Sequence, residues 1–277
     1  EVTTYFEPHF LLSNNVFTGN SASENGGGVE FNNVESAAFS ECTFSKNTAA
    51  TGGAIHLSNN SRNITIEGSV FSENEATTLA AGISVSTSQN SIVITQSEFM
   101  LNNCKGGTEC RGGAIGIDNN ASATIVNSLI TKNNAKSYGG GLYVRNDSSA
   151  NLIFSTLADN TTDGSSSTTG SGIHNYDSAV TNIYSSIVHG NGPANQTQNN
   201  TNSATNVTYS LFQGGYSGTG NINADPLFVD RAANDYHLGA GSECIDKAGT
   251  AAENPVIDLD GKTRPDGSGF DMGCYEF

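Results

Sequence analysis

The chain has 277 residues, of which 35% are hydrophobic and 14% charged, and it carries 32 glycines, no tryptophan and a net charge of −16. Eleven basic residues are too few to line a phosphate backbone, so the composition excludes nucleic acid as an expected partner. No run of about 20 apolar residues occurs, so we expect no transmembrane helix.

An apolar-x-x-Asn pattern recurs along the chain, first as FTGN at Phe17–Asn20 and then as FSKN at Phe44–Asn47. The step is usually 27 or 28 residues, with two steps of 31. An asparagine at one corner of a stacked repeat can bond the equivalent residues above and below it, and it tolerates a left-handed backbone. The predicted ladder consists of Asn20, Asn47, Asn74, Asn102, Asn133, Asn160 and Asn191.

Between these corners lies a small-residue bend followed by alternating side chains, as in GGGVEF from Gly26 and GGAIHL from Gly52. Period two with one apolar face indicates a half-buried strand. Short strands in a long period, without helical periodicity, are typical of stacked coils. The sequence therefore predicts an all-β, right-handed parallel β-helix (solenoid) of about seven to nine coils with a C-terminal cap. Residues 1–222 form the coils and residues 223–277 the end or cap of the same structural domain.

A serine column supports this register, because a serine stands two residues before most of the apolar-x-x-Asn motifs, as at Ser69 and Ser97. Cys42 occupies the same column in its own coil, so we expect it to be a buried free thiol that replaces serine. Cys104 and Cys110 flank the first longer insertion, where a disulfide would close the loop. A zinc site is the alternative, but the spacing lacks its companion histidines.

The motifs GGAI, at Gly52–Ile55 and Gly112–Ile115, and FxxN resemble the repeat of the chlamydial polymorphic outer-membrane proteins over residues 17 to about 191. The segments ADPLFVD, DYHLGAGSECID, DLDGKTRP and FDMGCYEF, between Ala224 and Phe277, resemble the end of bacterial β-helix proteins of the choice-of-anchor class. This resemblance implies a secreted or cell-surface protein, often associated with polysaccharide. It also implies a Cys244–Cys274 disulfide, since both cysteines stand where that segment usually carries a small residue.

The outward positions that follow the later bends combine tyrosine, arginine, histidine and carboxylates, a composition typical of a glycan groove. The candidate ligand-binding residues are Tyr143, Arg145, Asp147, His174, Tyr176 and Asp177. If the protein is an enzyme, Asp118, Arg145 and His174 are the candidate catalytic residues. An ordinary solvated sheet face is the alternative interpretation of the same residues.

The acidic DLDG sequence at Asp258–Gly261 makes Asp258 and Asp260 candidate calcium ligands. Alternatively, these carboxylates or that of Asp271 pair with Arg264 and shape the cap. We expect no other cofactor.

Regular coils and a weak catalytic signal favour a structural or adhesive surface protein, with self-association or a cell-surface glycan as its partner. Head-to-tail stacking into a filament would use the unpaired edges at the two ends of a β-helix. A polysaccharide-degrading lyase or hydrolase, or a glycan-binding module on the outward sheet face, is the alternative. The sequence favours a non-catalytic protein over an enzyme.

Overall fold

The computed structural model describes residues 10–107, 109–164, 169–193, 195–250 and 254–277. These residues form strands and turns and contain no helix. They wind into a parallel solenoid of about seven turns, and the prediction of a right-handed parallel β-helix is confirmed.

Four parallel sheets run along the solenoid, and each coil contributes one short strand to most of them. Sheet A contains β1 (Phe10–Ser13), β4 (Ala37–Ser40), β8 (Ile64–Glu67), β12 (Ser91–Thr95), β16 (Ser122–Val126), β20 (Ser149–Ile153), β24 (Val180–Tyr184) and β27 (Ala204–Thr208). Sheet B contains β2 (Val16–Thr18), β5 (Thr43–Ser45), β9 (Val70–Ser72), β13 (Glu98–Met100), β17 (Leu129–Thr131), β21 (Thr156–Ala158), β25 (Ile187–His189) and β28 (Leu211–Phe212).

The other two sheets lie on either side of the Gly-rich bends. Sheet C precedes the bends and contains β6 (Thr48–Thr51), β10 (Glu75–Leu79), β14 (Asn103–Cys104), β18 (Asn134–Ala135) and β22 (Thr161–Thr162). Sheet D follows the bends and contains β3 (Val29–Asn32), β7 (Ile55–Ser58), β11 (Ile83–Ser86), β15 (Ile115–Asp118), β19 (Leu142–Arg145), β23 (Gly170–Tyr176) and β26 (Asn195–Asn200).

Equivalent side chains stack inside the coils as the repeat predicts. The rings of Phe17, Phe44, Phe71 and Phe99 form a continuous stack with centroid separations of 4.6, 4.8 and 4.5 Å. Isoleucine, leucine, valine and alanine make up most of the rest of the same core cluster. The bends need glycine because a Cβ at Gly139, whose φ is +63°, would lie 2.2 Å from the Leu142 carbonyl oxygen.

The seven predicted asparagines form one unbroken ladder. Each side-chain amide donates to the Oδ1 of the asparagine in the next coil, over 2.8–3.0 Å. The last of them, Asn191, donates to Oε1 of Gln196 instead. The serine column makes a second ladder, in which the backbone N–H of Cys42 donates to Oγ of Ser69 over 3.0 Å. Cys42 is buried and free.

The C-terminal part of the chain has two roles that the sequence did not separate. Residues 213–222 cover the end of the last coil, where Tyr216 packs on Phe212 and Ile222 pairs with Leu211. Residues 223–250 and 254–277, with the antiparallel strands β29 (Phe228–Asp230) and β30 (Asp235–Leu238), fold back along the side of the solenoid. Residues 213–222 thus occupy a strand edge that head-to-tail stacking into a filament would use.

The predicted Cys244–Cys274 disulfide is wrong, because both cysteines are free and buried in separate apolar clusters. Cys244 packs with Met272, whereas Cys274 packs beside Tyr236 and its Sγ lies 3.3 Å from Thr156 Oγ1. Cys104 and Cys110 do form a disulfide, with their Cα atoms 5.3 Å apart.

Candidate functional site

The outward side chains of sheet D do not form an open, solvated face. Those of the later coils line a cleft beside the residues that precede the Gly-rich bends, and two of them are buried. Tyr143 is 2% exposed and His174 is 1% exposed. The cleft encloses about 310 Å³ and is lined by Glu109, Arg111, Tyr138, Tyr143, Arg145, His174, Tyr176 and Asn200.

Three rings form the floor of the cleft. The His174 ring lies 4.6 Å from the Tyr138 ring and 5.8 Å from the Tyr143 ring, measured between centroids. Tyr176 stands at the rim and is 41% exposed. The cleft therefore offers an exposed aromatic edge above a rigid aromatic floor.

Asp118 and Arg145 occupy the same column in consecutive coils and form an ion pair. Arg145 Nε donates to Asp118 Oδ1 over 3.0 Å, and Arg145 Nη2 contacts Oδ2. Asp118 also accepts from Asn146 Nδ2 at 2.9 Å and from the Asn119 N–H at 2.8 Å. The hydrogen bond to Asp118 is the main reason why the pKa of Arg145 is raised. The structure thus brings these two predicted residues together, but the Asp118 carboxylate is occupied by its hydrogen bonds to Arg145 and to its neighbours.

Arg111 and Tyr138 were not among the predicted site residues. The guanidinium carbons of Arg111 and Arg145 lie 5.7 and 6.0 Å from the centroid of the Tyr143 ring, so two cations contact this ring. Arg111 forms an ion pair with Glu109. Its position follows directly on Cys110, whose disulfide closes the preceding insertion.

His174 is a neutral ring at neutral pH. Burial, with a smaller effect of the Arg111 charge, lowers its pKa to about 4. Nδ1 accepts from the Gly170 N–H at 3.3 Å, and Nε2 lies 3.4 Å from Asn200 Nδ2. Among the described residues, no carboxylate hydrogen-bonds to this ring. Burial also raises the pKa of Tyr143 to about 12.

Asp147 and Asp177 lie outside the cleft. Both follow their strands, are exposed and adopt a left-handed backbone with a φ of 56°. The Asp147 N–H donates to the Asp177 carbonyl over 3.0 Å. The structure therefore separates these two predicted binding residues from Tyr143, Arg145, His174 and Tyr176.

The predicted calcium ligands do not converge. Asp258 is buried, and its oxygens accept the N–H groups of Lys262 and Glu276 at 2.8 and 3.0 Å. Asp260 Oδ2 instead lies 2.7 Å from Nε2 of His237. Within the described ranges, no group of three His, Cys, Asp or Glu residues is placed to hold a metal ion.

The cap arginine also has a different partner from the one expected. Arg264 Nε lies 3.2 Å from Glu276 Oε1 in a fully buried ion pair. The expected partners of Arg264 were Asp258, Asp260 and Asp271. Glu276 was missed because it lies outside the DLDG motif, five residues after Asp271, and its approach depends on the fold of the non-repeating segment.

Comparison with known proteins supports the fold and goes no further. A family model described as "Right handed beta helix region" matches residues 5–109. A search of curated proteins and a search of solved structures each gave no match. The described residues contain no helix that is long and apolar enough to cross a membrane. The matched residues are thus similar to a β-helix repeat, and the structure carries the same architecture on to Phe212.

Proposed function

We propose that this protein is an adhesive β-helix protein of the cell surface or the extracellular space that binds a neutral glycan without cleaving it. The observation that carries the proposal is the pair of arginines, Arg111 and Arg145, placed around Tyr143 in an aromatic cleft. The β-helix fold is compatible with adhesins and with polysaccharide-active proteins, so the choice between them rests on the cleft.

Aromatic rings and planar polar side chains are the groups that recognise a sugar. The C–H face of a pyranose packs against a ring, while its hydroxyls need both donors and acceptors at fixed positions. Tyr176 and Tyr138 supply partly exposed rings, and Arg145 supplies donors whose direction is fixed by Asp118. A pre-positioned donor loses little freedom when a ligand binds.

The charge balance favours a neutral sugar over a uronic acid. Each arginine of the cleft already has a carboxylate partner, Glu109 for Arg111 and Asp118 for Arg145. The low pKa of His174 keeps that ring uncharged at neutral pH. The cleft therefore has no surplus positive charge for an anionic chain, in a protein whose net charge is −16.

The same geometry argues against cleavage. A hydrolase needs a proton donor and a base or nucleophile on opposite sides of the bond. Asp118 accepts several hydrogen bonds and is 3% exposed, and a histidine with a pKa of about 4 is a weak base. No arrangement of the candidate catalytic residues Asp118, Arg145 and His174 supplies both roles.

The proposed extracellular location is supported by two features. The Cys104–Cys110 disulfide is typical of proteins that fold in an oxidising compartment. A strong negative charge keeps an exposed protein soluble and monomeric.

The test is a binding measurement on immobilised neutral and acidic polysaccharides, combined with assays for new reducing ends and unsaturated products. We expect binding to at least one neutral polymer, no product, and binding at least tenfold weaker for Tyr176→Ala. Phe277→Ala is the matched control, because Phe277 is also an exposed aromatic residue, 52% exposed, but lies outside the cleft. Product formation would show that the protein is an enzyme and overturn the proposal. Equal binding by Tyr176→Ala and Phe277→Ala would show that the cleft is not the binding site.

A further inference from the structure

A second cavity continues the cleft towards the N-terminal coils. It also encloses about 310 Å³, and its lining includes Thr51, His56, Leu79 and Asn119. Arg111 and Arg145 line both cavities, so the two form one groove with the arginines at its centre. Neither His56 nor Leu79 belongs to the site described above.

Two side chains that line this second cavity carry polar atoms without a partner. Within the described residues, His56 Nδ1 and Arg111 Nε are buried and make no hydrogen bond. The His56 side chain lines the cavity although the residue is only 5% exposed. Buried polar groups are nearly always paired, and an unpaired one is destabilising. A ligand that both donates and accepts hydrogen bonds would satisfy both.

Hydroxyl groups fit these atoms better than an anion does. Burial lowers the pKa of His56, against the opposing effect of Glu30, so the ring is neutral at pH 7. A neutral imidazole has one donor and one acceptor, so it pairs readily with a sugar hydroxyl. The chemistry of the second cavity is therefore the same as that of the first.

The two cavities are too far apart for one monosaccharide. His56 lies in β7 and Asn200 in β26, and sheet D places β11, β15, β19 and β23 between them. Five strand spacings of roughly 4.8 Å amount to about 24 Å along the solenoid axis. A ligand that reaches both ends has to be a chain of several sugars.

We propose that the cavity around His56 is a second sugar subsite, and that the ligand is a linear neutral oligosaccharide lying along the solenoid axis across sheet D. This inference rests on the proposed function, because it extends the same groove. Arg111 and Arg145 would contact the middle of the chain, Tyr176 one end and His56 the other.

Histidine ring signals in NMR test the inference directly. The probes are the disaccharides and hexasaccharides of cellulose, mannan, amylose, laminarin and chitin, added to the whole protein. We expect a binding hexasaccharide to shift the ring signals of both His56 and His174, and the matching disaccharide to leave His56 unmoved. His189 and His237 lie outside both cavities and serve as internal controls.

The outcomes separate the two proposals. A hexasaccharide that shifts His174 but not His56 would overturn the second subsite and leave the proposed function standing. If no probe shifts either ring, both are overturned. As a second measurement, His56→Ala should weaken hexasaccharide binding about tenfold and leave disaccharide binding unchanged, and an equal loss for both lengths would contradict the subsite.

Discussion

Replacing Asn102 with alanine should be among the most destabilising single changes in the solenoid. Asn102 is fully buried, and its Oδ1 accepts the Asn74 N–H at 3.1 Å while its Nδ2 donates to the Phe71 carbonyl at 2.9 Å. Both of these backbone groups lose a partner in Asn102→Ala. The side chains of Asn74 and Asn133 also lose their bonds to Asn102, but each keeps another partner, since Asn74 Nδ2 still bonds Phe44 O and Asn133 Oδ1 still accepts the Asn102 N–H. Two orphaned groups at roughly 1–3 kcal/mol each predict a loss of about 4 kcal/mol.

Urea unfolding followed by circular dichroism measures this loss, with the slope of the transition checked for constancy. Asn182→Ala is the matched control. Its Nδ2 also donates to an asparagine of the preceding coil, Asn151, over 2.9 Å, but the bond is exposed, so we expect a loss below about 0.5 kcal/mol. If the two variants lose stability to within 1 kcal/mol of each other, burial of the ladder is not what makes it stabilising.

Three further predictions concern single contacts. Burial alone would lower the pKa of His237, but its hydrogen bonds to Asp235 and Asp260 raise it above the value in the unfolded chain. The protonated ring therefore stabilises the fold. This contribution is fully present below the unfolded pKa near 6.5 and is lost as pH rises through the folded pKa. The difference in unfolding free energy between the wild type and His237→Gln should therefore be larger at pH 6 than at pH 9. The change between the two pH values should be less than about 1 kcal/mol, and a difference that does not change with pH would contradict this. Arg145→Met strands the buried Asp118 carboxylate and should cost about 2 kcal/mol in urea, a value discounted for the partial exposure of Arg145; no loss would mean that the pair is not stabilising. Cys104→Ser with Cys110→Ser opens a short loop and should cost roughly 2 kcal/mol, whereas an unchanged urea midpoint would refute the chain-entropy argument.

The solenoid could be predicted from the sequence because one register determines every coil. The ladder asparagines sit at fixed distances from the strand residues on either side of them. The two steps of 31 residues do not disturb this register, because the extra residues lie between Asn102 and Gly112 and between Asn160 and Gly170, beyond the asparagine corner. The same logic places Asp118 and Arg145 in one column, so their contact follows from spacing alone.

The rest of the site depends on a column whose residue type changes from coil to coil. Leu79, Arg111 and Tyr138 stand in register directly before three consecutive bends, so the register alone does not predict an arginine or a ring there. The burial of Tyr143 and His174 follows from these neighbours, and of the two interpretations left open by the sequence, a groove or a solvated face, the structure has a cleft. Cys244 and Cys274 were mispaired for a related reason, since the segment that carries them does not repeat and its path is set by contacts with the solenoid.

The folded-back C-terminal segment changes how the solenoid is held together. Coils of a repeat protein contact only their neighbours, so each can detach in turn. Here one segment contacts several coils at once, through Asn127 to the Ile257 carbonyl at 3.1 Å, Asp159 to Arg231 at 3.1 Å and Ser185 to the Gly249 N–H at 3.0 Å. It therefore links the later coils to one another. Under a pulling force on the N-terminal end, the coils of β1 to β9 would unfold one by one, whereas the linked later coils would unfold together in a single step.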